Sequence, residues 1–304
     1  MSQHTNNSTY SLVAKKLSLS FGSKKALDEL SLEIPSSGIT ALLGANGAGK
    51  TSLINCALGL YQPQKGKLTI LGEYPGCKII KPKLGVMLQD TELPDLLTPT
   101  EHLELFASYF SEPEDIADII ERCQLTEFKD RRYKVLSGGQ KRRVQFALAL
   151  IGKPEFLFLD EPTTGLDIDA RRFLWKTIRE LAKNGTAILL TTHYLEEADM
   201  LSDHVALMSN GKVTATGSSS DIRKLVSGSL INCHTTISID QLNKLPEVSQ
   251  VRPLGRLTEI SSNDVNQTLS ALLALDPNLE DLSVSAPRLE DAFLKLSNDD
   301  SEKH

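Results

Sequence analysis

Three short apolar runs, Ile39 to Leu43, Phe156 to Leu159 and Ala187 to Leu190, constrain this chain more than any other feature. Continuous apolar segments of that length suit strands buried on both faces of a parallel sheet. Each run ends in chemistry: a glycine loop and Lys50 after the first, Asp160 and Glu161 after the second, His193 after the third. Open α/β sheets bind ligands beyond the carboxyl ends of their strands, so three strands delivering polar residues at one edge describe one site. Upstream, residues 12 to 37 alternate apolar and polar (Leu12, Ala14, Leu17, Leu19, Phe21, then Leu30, Leu32, Ile34), the period of half-buried strands.

Helices fill the gaps. Thr98-Pro99-Thr100-Glu101 reads as a capping box with proline at the first helical position, and the stretch from Thr100 to Tyr133 reads as wholly helical. This predicts a helical subdomain, about 98–150, inserted into the α/β core. From Ala170 to Lys183 one helix face carries Leu174, Ile178 and Leu181, and Asn184-Gly185 stops it. Gly217-Ser218-Ser219-Ser220 marks a change of texture. Beyond it, strands at 230–239, 248–251, 256–260 and 282–284, a helix at 265–275 and a last helix from Leu289 describe a small α+β unit. The expected division is a disordered tail at 1–11, a main domain at 12–222, the α+β domain at 223–297 and a tail at 298–304.

Composition narrows the function classes. The formal charge of −6 argues against a nucleic-acid binder that relies on an overall basic surface. Cys56, Cys77, Cys123 and Cys233 include no close pair, so metal or redox pairing gives way to buried or idle thiols. No apolar run approaches the roughly 20 residues of a membrane helix. The polar start lacks the parts of a signal peptide. A soluble chain is expected, with any membrane spanning left to another protein.

Gly44-Ala45-Asn46-Gly47-Ala48-Gly49-Lys50-Thr51 fits the phosphate-binding loop pattern G-x-x-x-x-G-K-[ST]. Glycines let the backbone wrap phosphates closely, and the following helix adds the positive end of its dipole. Lys50 is placed to reach β- and γ-phosphates and the Thr51 hydroxyl to bind magnesium. Asp160, at the end of an apolar strand, suits magnesium held through water. Glu161 suits orienting or deprotonating an attacking water. Ser137 and Gln140 form a capping box for the helix from Lys141 to Ile151, while Gly138 and Gly139 at its start leave amides that suit an anion. Lys141-Arg142-Arg143 reads as a solvated face, with lipid headgroups or nucleic acid as alternatives.

Leu136-Ser137-Gly138-Gly139-Gln140 between these motifs resembles the signature of the ABC ATPase superfamily, and the resemblance covers about Leu12 to Ile222. It implies a P-loop NTPase of the ABC type: a RecA-like α/β core with an antiparallel β subdomain and an inserted helical subdomain, followed here by the small α+β appendix. It further implies nucleotide contacts by Phe21 (against adenine), Gly44, Asn46, Gly47, Ala48, Gly49, Lys50, Thr51 and Ser52. Gln89 matches the loop that senses magnesium and contacts the permease. Asp167, in Thr164-Gly165-Leu166-Asp167, resembles the D-loop or simply caps the next helix. His193 matches the switch histidine that contacts the γ-phosphate.

In that family the signature of one subunit completes the site whose phosphate loop belongs to another, sandwiching two ATP molecules head to tail. One set of motifs therefore implies a homodimer or a close paralogue as partner. Ser137, Gly138, Gly139 and Gln140 then contact nucleotide across the interface, with ATP and Mg2+ as ligands and Lys50, Glu161 and His193 as catalytic groups. Pro287 to Leu296 and His193 to Asp199 resemble the ABC-2-type exporter group that includes the daunorubicin-resistance ATPases. That implies an ATPase that powers export through a separate integral-membrane permease, on the cytoplasmic face of the membrane, with no nucleic acid expected. A soluble ABC ATPase acting on nucleic acid or the ribosome is the alternative.

Overall fold

In the computed structural model the described residues are 9–89, 91–224 and 229–285. The chain divides into two compact units between Ser218 and Ser219 rather than after Ile222. In the first, β1 (Tyr10–Phe21) and β2 (Lys24–Pro35) are followed by β3 (Gly38–Leu43), α1 (Lys50–Ala57), β4 (Lys65–Ile70) and β5 (Leu84–Met87). Then come α2 (Pro99–Ala107), α3 (Ile116–Arg122), α4 (Gly138–Leu150), β6 (Phe156–Asp160), α5 (Ile168–Lys183), β7 (Ala187–Thr192), α6 (Leu195–Leu201), β8 (His204–Ser209) and β9 (Lys212–Gly217).

The strands form two sheets. The larger has the order β5-β6-β7-β3-β8-β9, parallel except at β9, and the smaller is antiparallel in the order β2-β1-β4. The three apolar runs are β3, β6 and β7, side by side in the larger sheet. Every residue of β6 and β7 is buried. Period two then sorts β6 between two cores. Phe156 and Phe158 pack with α1 and the antiparallel sheet, whereas Leu157 and Leu159 pack with α2, α3, α4 and α5.

β1 shows how a broken pattern is accommodated. Its buried residues alternate as Leu12 and Ala14, then skip to Leu17 and Leu19. A strict strand would turn Leu17 toward solvent. The ladder to β2 shifts register between Ala14 and Leu17, and Lys16 takes φ +50°, so a bulge absorbs the extra residue and keeps all four inside. Tyr10 and Ser11, expected in a disordered tail, begin this strand, and Ser11 is buried. Residues 1–8 lie outside the described residues.

The inserted helices are shorter than expected. Instead of one helical stretch from Thr100 to Tyr133, α2 ends at Ala107 and α3 covers only Ile116 to Arg122. Pro113 and the Asp115 cap, whose Oδ1 accepts from the amides of Ala117 and Asp118, explain the break. Both predicted capping boxes, Thr98 with Glu101 and Ser137 with Gln140, are formed.

The second unit contains α7 (Ser219–Lys224), β10 (Ser229–His234), α8 (Ile239–Leu242), β11 (Val248–Leu254), β12 (Leu257–Ser262), α9 (Val265–Leu275) and β13 (Glu280–Ser285). Its antiparallel sheet has the order β11-β12-β10-β13 and a separate core of Ile231, Cys233, Leu242, Leu245, Ile260 and Leu272. The strand expected at 230–239 stops at His234, and α8 occupies its far end. The helix expected from Leu289, the exporter-like segment Pro287 to Leu296 and the tail at 298–304 lie outside the described residues. All four cysteines are buried free thiols, and burial pushes Cys56 up to about 11 and Cys123 up to about 12. No described helix is long and apolar enough to cross a membrane.

Phe158 is fully buried, its ring centroid 4.4 Å from that of Phe156. Phe158→Ala should therefore destabilise the first unit by about 3–5 kcal/mol, read as a lower urea midpoint followed by intrinsic fluorescence.

Candidate active site

The loop from Gly44 to Gly49 joins β3 to α1 and needs glycine for two physical reasons. Gly49 has φ +108°, and a Cβ there would lie 2.3 Å from the Ala26 carbonyl oxygen. A Cβ on Gly44 would lie 2.5 Å from the Met208 carbonyl oxygen. The loop is thus pressed against the backbone behind it. Lys50, the first residue of α1, turns back into the loop and donates to the carbonyls of Gly44 (2.7 Å) and Ala45 (3.3 Å). It is only 6% exposed, and among the described residues no carboxylate forms an ion pair with it. Burial pulls its ammonium below the usual lysine value, opposed by the Glu161 and Asp160 carboxylates.

Across the sheet edge, Asp160 is 1% exposed. Its Oδ2 accepts from the Thr51 hydroxyl at 3.1 Å, and its Oδ1 accepts from the Thr191 hydroxyl. Thr51 and Asp160 are hard oxygen donors from α1 and β6, and such a pair suits magnesium rather than a softer metal.

Glu161 sits just past the strand in a left-handed conformation, φ +48°, uncommon for a residue with a side chain. Its amide is fixed by Thr191, donating to the carbonyl (3.1 Å) and approaching the hydroxyl (3.2 Å). Its carboxylate is held at both oxygens. Thr164 donates its hydroxyl to Oε2 at 3.1 Å, and His193 Nδ1 lies 3.0 Å from Oε1. The glutamate is buried, whereas the histidine side chain is 36% exposed, so the pair spans from the interior to the surface.

Phe21, Asn46, Gly47, Gly49, Lys50, Thr51, Ser52, Gln89 and Glu161 line one cleft of about 330 Å³. Ala48 is buried within the loop. Phe21 is 49% exposed, and its ring meets the edge of Tyr61 with centroids 5.3 Å apart. Gln89, just beyond β5, is exposed at the cleft wall.

Two groups of predicted residues lie elsewhere. Ser137 to Gln140 do not line this cleft. Ser137 and Gly138 are exposed at the start of α4, where first-turn amides have no intrahelical partner. Asp167 caps α5 by accepting from the Ala170 amide at 2.8 Å and is also absent from the cleft lining.

Sequence reasoning missed Thr191, Thr164 and Tyr61. Both threonines stood in plain view beside the motifs, but only the register of β6 and β7 shows that Thr191 meets Asp160, and only the turn after Glu161 brings Thr164 to its carboxylate. The reading of Lys141-Arg142-Arg143 as a solvated face is corrected. All three are half-buried. Lys141 lies over the Tyr133 ring and Arg143 over the Phe173 ring. Arg142 donates to the carbonyl of Leu88 and to Gln145 Oε1, both at 3.1 Å, and approaches the Glu161 carbonyl at 3.5 Å.

Residues 27–164 match the model of the ABC transporter family. The Nod factor export ATP-binding protein I of Rhizobium sp. (strain N33) is 35% identical, over 93% of this chain and 96% of its own length. A daunorubicin resistance ATP-binding protein of Streptomyces coeruleorubidus is 32% identical, over 92% of this chain and 93% of its own length. Among solved structures, an ATP binding subunit of an ABC transporter superposes with a TM-score of 0.65 at 28% identity, covering 70% of this chain and 92% of that one. With the phosphate loop, the carboxylates and the signature helix set in this fold, the chain belongs to the ABC transporter ATP-binding proteins and is an ATPase.

Proposed function

We propose that this ATPase powers export across a membrane, working as a head-to-tail dimer of two copies or of close paralogues on a separate integral-membrane permease. The observation that carries the dimer is the separation of the two half-sites. The cleft holds Lys50, Thr51 and Glu161, while Ser137 and Gly138, exposed at the start of α4, do not line it. An anion-binding helix start that does not reach its own cleft is suited to the cleft of a second copy. Export is supported by the two relatives that carry Nod factor export and daunorubicin resistance in their names. On this reading the chain sits on the cytoplasmic face, held there by the permease.

In the working cycle Lys50 and the loop amides hold the β- and γ-phosphates, Phe21 packs on adenine, and Ser137 to Gln140 and Asp167 act from the facing subunit. Thr51, Asp160 and Gln89 would hold Mg2+, which when bound neutralises phosphate charge. Glu161 accepts a proton from, or orients, the attacking water. His193 then serves two partners, keeping the Glu161 carboxylate aimed and reaching the γ-phosphate from its exposed side. Closure is passed to the permease through Gln89 and the inserted helices.

Glu161→Gln should lower MgATP turnover by about 100-fold or more with nucleotide affinity retained, and should accumulate as a dimer in ATP but not in ADP by analytical ultracentrifugation. Retained turnover would remove Glu161 from the mechanism. The shared site gives a sharper test. Lys50→Ala and Gly138→Asp should each be inactive alone, yet mixing them should restore turnover, because the mixed dimer contains one site with an intact loop and an intact signature. No recovery on mixing, with both variants folded, would mean that the signature does not act across subunits. Pull-down of tagged Glu161→Gln protein from native membranes should recover a polytopic permease. Enrichment of ribosomal or DNA-associated proteins instead would support the soluble alternative.

A further inference from the structure

Glu197, in α6, is a carboxyl group 1% exposed that the motifs do not account for. Its Oε1 accepts from the Thr163 hydroxyl at 2.8 Å and from the Trp175 indole at 3.0 Å. Its Oε2 is buried without a well-formed hydrogen bond among the described residues, and the Thr192 hydroxyl is the further polar group beside the carboxyl. An apolar side chain would fill this space without the cost of desolvating a carboxyl. It would also leave the Thr163 hydroxyl and the Trp175 N–H without their acceptor.

The elements that meet here are the ones that carry the reacting groups. Thr163, itself 1% exposed, follows Glu161 and Pro162 in the loop after β6. Glu197 lies in the helix that opens directly after His193 and Tyr194. Trp175 belongs to α5, whose Arg171 lies over the Tyr194 ring at 5.4 Å, and that ring is 4.1 Å from the ring of His193. We propose that Glu197 is a positioning residue for hydrolysis: it pins the segment carrying Glu161 to the segment carrying His193, and so sets the 3.0 Å contact between those two side chains.

The proposal rests on reading Glu161 as the group that handles the attacking water. Glu161 and His193 follow the ends of different strands, and the backbone bonding between β6 and β7 ends with the Glu161 amide on the Thr191 carbonyl, short of His193. One acceptor shared by donors from two elements supplies that link. Burial pushes the Glu197 carboxyl above the usual glutamate range, against the pull of the surrounding hydroxyls, the Trp175 indole and Arg171.

The test measures MgATP turnover, and affinity for a fluorescent ATP analogue, in this chain and its variants. Glu197→Ala should lower kcat by about 10- to 100-fold, with KM and analogue affinity within about twofold of the parent. Glu197→Gln, whose amide oxygen can take both donors, should recover most of the turnover. Thr163→Val should change kcat in the same direction and replaces Glu197→Ala if that variant does not fold. In a Glu161→Gln background, adding Glu197→Ala should bring no further loss in single-turnover hydrolysis, as expected when one residue acts through the other.

Unchanged kcat in Glu197→Ala and Thr163→Val overturns the proposal. So does a Glu197→Gln variant as impaired as Glu197→Ala, or a fully additive loss in the double variant. Normal turnover of Glu161→Gln alone overturns the reading of Glu161 instead, whatever the Glu197 variants do.

Discussion

Parallel pairing of β3, β6 and β7 is the constraint on which the site depends. The ladder sets Leu42 beside Thr191 and Leu43 beside Thr192, and on the other side of β7 it sets Asp160 beside Thr191. The phosphate loop and both carboxylates therefore emerge level with one another at a single sheet edge. Thr191 occupies the middle strand at that level. Its hydroxyl donates to Asp160, and its carbonyl and hydroxyl take the Glu161 amide. A residue with no charge and no direct part in the chemistry thus fixes one carboxylate and turns the backbone beneath the other. The left-handed φ of Glu161 costs on the order of 1–3 kcal/mol and persists only because such bonds over-determine it.

Much of this was legible in the sequence, because burial on both faces leaves a strand no choice of composition. The runs beginning at Ile39, Phe156 and Ala187 proved to be strands with ends within a few residues of those expected. The phosphate loop was legible for a similar reason: Gly44 and Gly49 press against backbone that no Cβ could share. The helical insert was over-read. Its apolar residues recur at helical spacing on both sides of Pro113, and periodicity alone does not say that the helix is interrupted. Thr191, Thr164 and Glu197 were not legible as functional groups, since each acts through a partner distant in sequence or through a turn. Lys141-Arg142-Arg143 misled for the opposite reason. Long basic side chains can cover aromatic rings with their stems and still present a charged end, and a run of letters does not tell the two uses apart.

Arg142 also shows how the insert is tied to the core. From one residue in α4, its guanidinium reaches the carbonyl of Leu88, just before Gln89, and the carbonyl of Glu161. Gln145, the next turn along, donates to the Thr91 carbonyl at 2.9 Å and to the Tyr133 hydroxyl at 3.1 Å. The helix that begins with the signature is therefore bonded to the segment around Gln89 on one side and to the loop that carries Glu161 on the other. Apart from the Tyr133 hydroxyl the acceptors are backbone carbonyls, so those ties depend on chain path and not on which side chains the loops carry.

The burial of Lys50 bears on the setting in which such a site operates. Charges on a protein surface are screened by dissolved ions over about 8 Å at physiological ionic strength. Lys50 is nearly enclosed and rests on two carbonyl oxygens, where bulk ions have little access. A polyphosphate meeting it is attracted by a charge that cellular salt barely weakens. Recognition at this point is accordingly expected to hold nearly constant across ionic strengths that would strip an anion from exposed lysines.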